Sequence, residues 1–114
     1  MNLYHVDIGL PEGFALPARI VNLYWTRHAT NARYTDRYGN IPELPVLDLS
    51  ACNVIEVGLE GKRVRKVVVR TPFDTFNDLV LVLIPDAGAW TVKTVWFNEC
   101  NDTHKTLDRS RYVC

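Results

Sequence analysis

DLVLVLI, residues 78–84, decides the fold. After Asp78 every position through Ile84 is apolar, with no alternation of polar and apolar side chains. A strand with one wet face alternates, so an unbroken apolar run is expected of a strand covered on both faces. It belongs at the centre of a sheet. Upstream, NVIEVGLE (53–60) and KRVRKVVVRT (62–71) flank a Glu60-Gly61 turn and read as a hairpin. Downstream, Asp86-Ala87-Gly88 turns the chain into WTVKTVWFN (90–98), another strand. These segments predict a four-stranded antiparallel meander over residues 53–98.

The earlier chain is less regular. LYHVDIGL (3–10) alternates as a strand does, and Pro11-Glu12-Gly13 closes it with a turn. ARIVNLYW (18–25) is strand-like. Thr26 is a plausible N-cap for a short, mostly polar helix RHATNARYTDRY (27–38), which Gly39 would end. IPELPVLDL (41–49) holds two prolines and reads as a loop with an extended end, because proline disfavours helix for itself and its predecessor. The expected class is α+β: a short N-terminal helix packed on a four-stranded antiparallel sheet, followed by a polar C-terminal tail. No repeat or linker divides residues 1–114, which read as a single domain.

Composition bounds the function. The chain has 114 residues, 47% of them hydrophobic, with three Trp, five Tyr and four Phe, ample for one core. Thirteen basic and thirteen acidic residues cancel, so affinity for nucleic acid would have to come from a local patch. Cys52, Cys100 and Cys114 are odd in number and lack CxxC spacing, which argues against a disulfide framework or a structural zinc site and for a reducing, cytoplasmic setting. No stretch approaches the ~20 apolar residues of a membrane span, and residues 1–10 lack the apolar run of a signal peptide.

Three constellations could carry chemistry. Lys62, Arg63, Arg65, Lys66 and Arg70 make a basic strand, which reads either as an edge guarded by charge or as a phosphate-contacting surface. On the helix, His28 stands beside cations; with an unperturbed pKa of about 6.5 it could act as general acid or base, while Arg33 and Arg37 hold a phosphate by paired N–H groups. The alternative is a solvated helix whose His28 only caps or packs. The tail brings Asn98, Asp102, His104, Thr106 and Asp108 together after the last strand. Asp102 could orient the His104 imidazole, and the Thr106 hydroxyl could support a developing oxyanion. The alternative there is a capping segment pinned by Leu107 and Tyr112. Asp102, His104 and Asp108 lack the recurring spacing of metal ligands, so neither a metal nor another cofactor is expected.

The order of a helix bearing His28-Ala29 and Arg33 or Arg37, then a hairpin, then LVLVLI and VKTVWFN as paired core strands, resembles the small RelE/BrnT-like ribonuclease toxins. The ending WFNECNDTHKTLDRSRY is similar to that of short bacteriophage proteins, and the similarities together span about three quarters of the chain. The resemblance implies metal-independent RNA cleavage, in which a 2′-OH attacks the adjacent phosphate under acid–base catalysis. The expected catalytic groups are then His28, His104 and Thr106, with Asp102 orienting. Arg33, Arg37, Arg70, Lys93 and Asn98 would bind substrate. The rival expectation is a small phage-type protein that binds and inhibits a host protein through exposed aromatics such as Trp25, Tyr34 and Tyr38.

Overall fold

The computed structural model describes residues 2–5, 19–36, 39–60 and 63–100. Along the chain these form β1 (Asn2–His5), β2 (Ile20–Trp25), α1 (Arg27–Thr35), β3 (Val46–Asp48), a 3-10 turn at Leu49–Ala51, β4 (Asn53–Glu60), β5 (Arg63–Pro72), β6 (Asn77–Ile84) and β7 (Trp90–Glu99). The strands lie in the order β1-β4-β5-β6-β7-β2-β3. Six of them make one continuous sheet curled into a half-barrel, and the three-residue β3 adds to its end on β2.

This corrects the expected fold class. The protein is mostly β, 57% strand, and its sheet is wider than the four-stranded sheet with an N-terminal helix expected from the sequence. The meander β4–β7 is antiparallel throughout, but it is only the middle of the sheet. The two early strands flank it: β1 pairs antiparallel with β4, and β2 pairs in parallel with β7. Local patterning marks a segment as a strand but carries no information about which distant strand it joins. That choice is made by the backbone groups left unpaired at the rims of β4 and β7.

β6 occupies the position its apolar run demands. Leu79, Leu81 and Leu83 join the main core beneath α1 with Val57, Val67, Val69, Val92, Val95 and Phe97. Val80 and Val82 face the other way, into a second cluster with Ile55, Val68 and Trp96. Register shifts leave one extra residue each in β4 (Ile55), β5 (Arg65) and β7 (Lys93), bulges that sharpen local twist and so assist the curl. Because β5 and β7 hydrogen-bond β6 from both sides, its amides at residues 79–83 are expected to be the slowest to exchange with deuterium. Exchange there as fast as in β3 would overturn this placement.

The helix ends earlier than the sequence predicts. Thr26 caps it as expected, its Oγ1 accepting from the Ala29 N–H at 3.1 Å, but α1 stops at Thr35 and not at residue 38. Asp36 leaves the helix in an extended conformation, and its Oδ1 accepts from the Phe97 N–H of β7 at 3.0 Å. That tertiary hydrogen bond replaces a further helical turn. Gly39 follows at φ +126°, a conformation in which a side chain would be strained.

Candidate functional site

The start of α1 is fastened to β7. Thr26 donates to the Val92 carbonyl through both its hydroxyl, at 3.0 Å, and its backbone N–H, at 3.5 Å. One residue after Val92 stands Lys93, opposite the register shift at Val82/Leu83. Lys93 is the extra residue of that bulge, standing between Val92, which pairs with Leu83, and Thr94, which pairs with Val82. Arg27 and His28, in the first helical turn, are exposed, as is Lys93. Among the described residues none of the three makes a hydrogen bond or ion pair, and the first turn carries no acidic side chain. The helix N-terminus adds its partial positive charge beside Arg27, which favours an anion there, with the His28 imidazole in the same turn.

Arg33 is placed differently. Only 13% of its side chain is exposed. Its Nε donates to the Ile41 carbonyl at 2.8 Å, one terminal nitrogen lies 3.7 Å from Glu43, and its guanidinium covers the rings of Trp25 and Tyr34 at 5.7 and 4.9 Å. Trp25 in turn donates its indole N–H to the Leu44 carbonyl at 2.7 Å. Arg33 thus ties the 41–44 segment to the helix, with most of its donors engaged.

Arg70 and Asn98 lie across the sheet from His28. Strand alternation puts Arg70 on the side of Val68, and Asn98 on the side of Trp96, away from α1. Arg70 is fully buried. Its Nε binds Asp78 Oδ2 at 2.6 Å, and another of its nitrogens donates to the carbonyls of Glu99, at 3.1 Å, and Cys100, at 3.4 Å. Burial pushes the Asp78 carboxyl up from its ordinary range, and the Arg70 guanidinium pulls against that shift. An arginine so enclosed cannot reach a phosphate; it clasps the end of β7 to β5 and β6. The sequence does carry a signal for this pair. A carboxylate opening a strand that is apolar on both faces needs a buried cation, and Arg70 closes the neighbouring strand. Nor is β5 an edge strand guarded by its charges, since it lies between β4 and β6.

Arg37, Asp102, His104 and Thr106 lie outside the described residues. Cys52 is a free, buried thiol that burial pushes up to about 11, which keeps it protonated and unreactive near neutral pH. Cys100 is disulfide-bonded, against the expectation drawn from the odd cysteine count. Among the described residues no group of three His, Cys, Asp or Glu side chains could hold a metal ion, and no helix is long and apolar enough to cross a membrane. No protein family, curated protein or solved structure matches the chain.

Proposed function

We propose that the chain is a metal-independent endoribonuclease-like domain of toxin type that acts on RNA. The observation that carries this reading is the first turn of α1, where Arg27 and His28 stand exposed and without partners among the described residues, with Lys93, also unpartnered, one residue beyond the Val92 carbonyl that Thr26 binds. Lys93 and Arg27 hold the scissile phosphate, and His28 moves the proton. In such a cleavage the 2′-OH loses its proton to a base as its oxygen attacks the adjacent phosphorus. The 5′-oxygen of the next nucleotide leaves with a proton from an acid, giving a 2′,3′-cyclic phosphate and a free 5′-hydroxyl. His104 is assigned the second proton transfer, with Asp102 orienting it and Thr106 donating a hydrogen bond. Arg37 is assigned a supporting contact to the substrate, while the opposite face of the sheet removes Asn98 from that role, burial removes Arg70 and engagement by Ile41 and Glu43 limits Arg33. The cytoplasm, where RNA is abundant, is the proposed setting.

Cleavage of an end-labelled RNA in the presence of chelator, with cyclic-phosphate termini among the products, tests the reading directly. Binding gives a second measure. Affinity for single-stranded RNA should fall with salt at a log–log slope of roughly −0.7 per phosphate contacted, and Lys93→Ala should flatten the slope by about one such increment. A slope unchanged in Lys93→Ala would take the phosphate away from Lys93.

A second reading rests on a separate observation. Ile20 and Tyr24 alternate along β2, and Val46, paired with the intervening Asn22, lies on the same side; all three apolar side chains are exposed. Beside them an open pocket of about 240 Å³ is lined by Asn22, Asp86, Gly88 and Trp90. Such a stripe suits a small phage-type protein that binds and inhibits a host protein without catalysis. A protein that cuts no RNA and loses a host partner on Tyr24→Ala would establish it in place of the first.

A further inference from the structure

We infer that the exposed stripe of α1 centred on Tyr34 is a seat for an unpaired nucleobase, so that the ligand is single-stranded RNA and not a duplex. This deepens the RNA reading and rests on it. Tyr34 is 59% exposed, so its ring is open to a ligand. It is also braced. The Arg33 guanidinium lies 4.9 Å from the ring centroid and donates to the phenolic oxygen at 3.4 Å, and Arg33 is itself anchored by Ile41 and Glu43. An aromatic held in this way loses little conformational freedom on binding, and the same guanidinium polarises its π-face.

The rest of the stripe is matched to a nucleotide chain. Arg27, Asn31 and Tyr34 stand at helical spacings of four and three residues and so share one face, with Arg27 about 10 Å along the axis from Tyr34. All three are exposed. The Asn31 side-chain amide makes no hydrogen bond among the described residues and is free to read a base edge, as both donor and acceptor. Arg27 supplies a phosphate contact at the end nearest His28. No residue of α1 is acidic, so the face complements a polyanion along its whole length. A stacked base, an amide against its edge and a cation on the neighbouring phosphate are the elements by which proteins hold unpaired RNA. In a duplex the base faces are occupied by their neighbours and cannot stack on Tyr34.

A 2′-O-methylated RNA strand of mixed sequence separates binding from cleavage, because it lacks the nucleophile but keeps bases and phosphates. In fluorescence anisotropy the wild-type protein should bind this strand at least tenfold more tightly than the duplex formed with its complement. Tyr34→Ala should weaken the strand about 5- to 150-fold, the range for losing one stacked base, and leave the duplex unchanged. Tyr34→Trp should preserve the preference, which guards against a trivial loss of folding, and Asn31→Ala should alter affinity among strands of different sequence. Equal affinity for strand and duplex, an unaltered Kd in Tyr34→Ala, or no RNA binding at all would overturn the inference. Strand-selective binding that depends on Tyr34, with no cleavage of ordinary RNA, would sustain the seat and end the endoribonuclease reading. Cleavage that is indifferent to Tyr34 would do the reverse.

Discussion

Arg70→Ala is expected to lower the melting temperature by about 12–20 °C. Breaking a fully buried ion pair from one side costs about 3–5 kcal/mol, because the partner charge is left without compensation, and a domain of this length shifts by roughly 4 °C per kcal/mol. Here the orphaned group is the Asp78 carboxylate, which is as enclosed as Arg70 itself. The carbonyls of Glu99 and Cys100 also lose a donor. Replacing both charged residues by apolar ones, as in Arg70→Met with Asp78→Leu, should recover much of the loss, since apolar side chains pose no desolvation penalty. Thermal unfolding of the two single variants and the double variant checks this. Single variants that melt within about 3 °C of wild type would mean that the pair is solvated and open to ligands.

His28→Ala should reduce RNA cleavage about 10²- to 10⁴-fold, the usual loss when a general acid or base is removed, while its melting temperature stays near that of wild type. The two readouts diverge because His28 is exposed and makes no hydrogen bond among the described residues, so its truncation disturbs little packing. A packing role predicts the opposite pattern. If His28 and His104 share the proton transfers, the rate of the wild-type enzyme traces a bell against pH. Its two limbs belong to the pair as a unit, and each single variant loses one limb. Both measurements can be made on one preparation with chelator present. Cleavage unaltered in His28→Ala would remove the first turn of α1 from the chemistry, whatever its affinity for RNA.

Arg70 and Lys93 illustrate how differently side chains of similar chemistry can be used. By charge alone Arg70 and Lys93 are equivalent candidates for a phosphate. Burial separates them, because Arg70 is enclosed with a carboxylate while Lys93 stands at a bulge in water. Exposure of this kind depends on which surfaces meet in the folded chain, and no local pattern encodes it.

The sequence by itself determined the local elements. The unbroken run from Leu79 to Ile84 specified a strand buried on both faces, and alternation on either side specified its neighbours in the meander. Thr26 specified where the helix begins, since its hydroxyl can satisfy a backbone donor that the first turn leaves free. The tertiary structure alone decided the extent of the sheet, the parallel union of β2 with β7, the early end of α1 at Asp36 and the opposite faces on which His28 and Arg70 stand. Each of these rests on a contact between residues far apart in the chain. Periodicity of 2 or 3.6 residues records which way a side chain points from its own element, and the identity of what it meets there is fixed only when the elements pack.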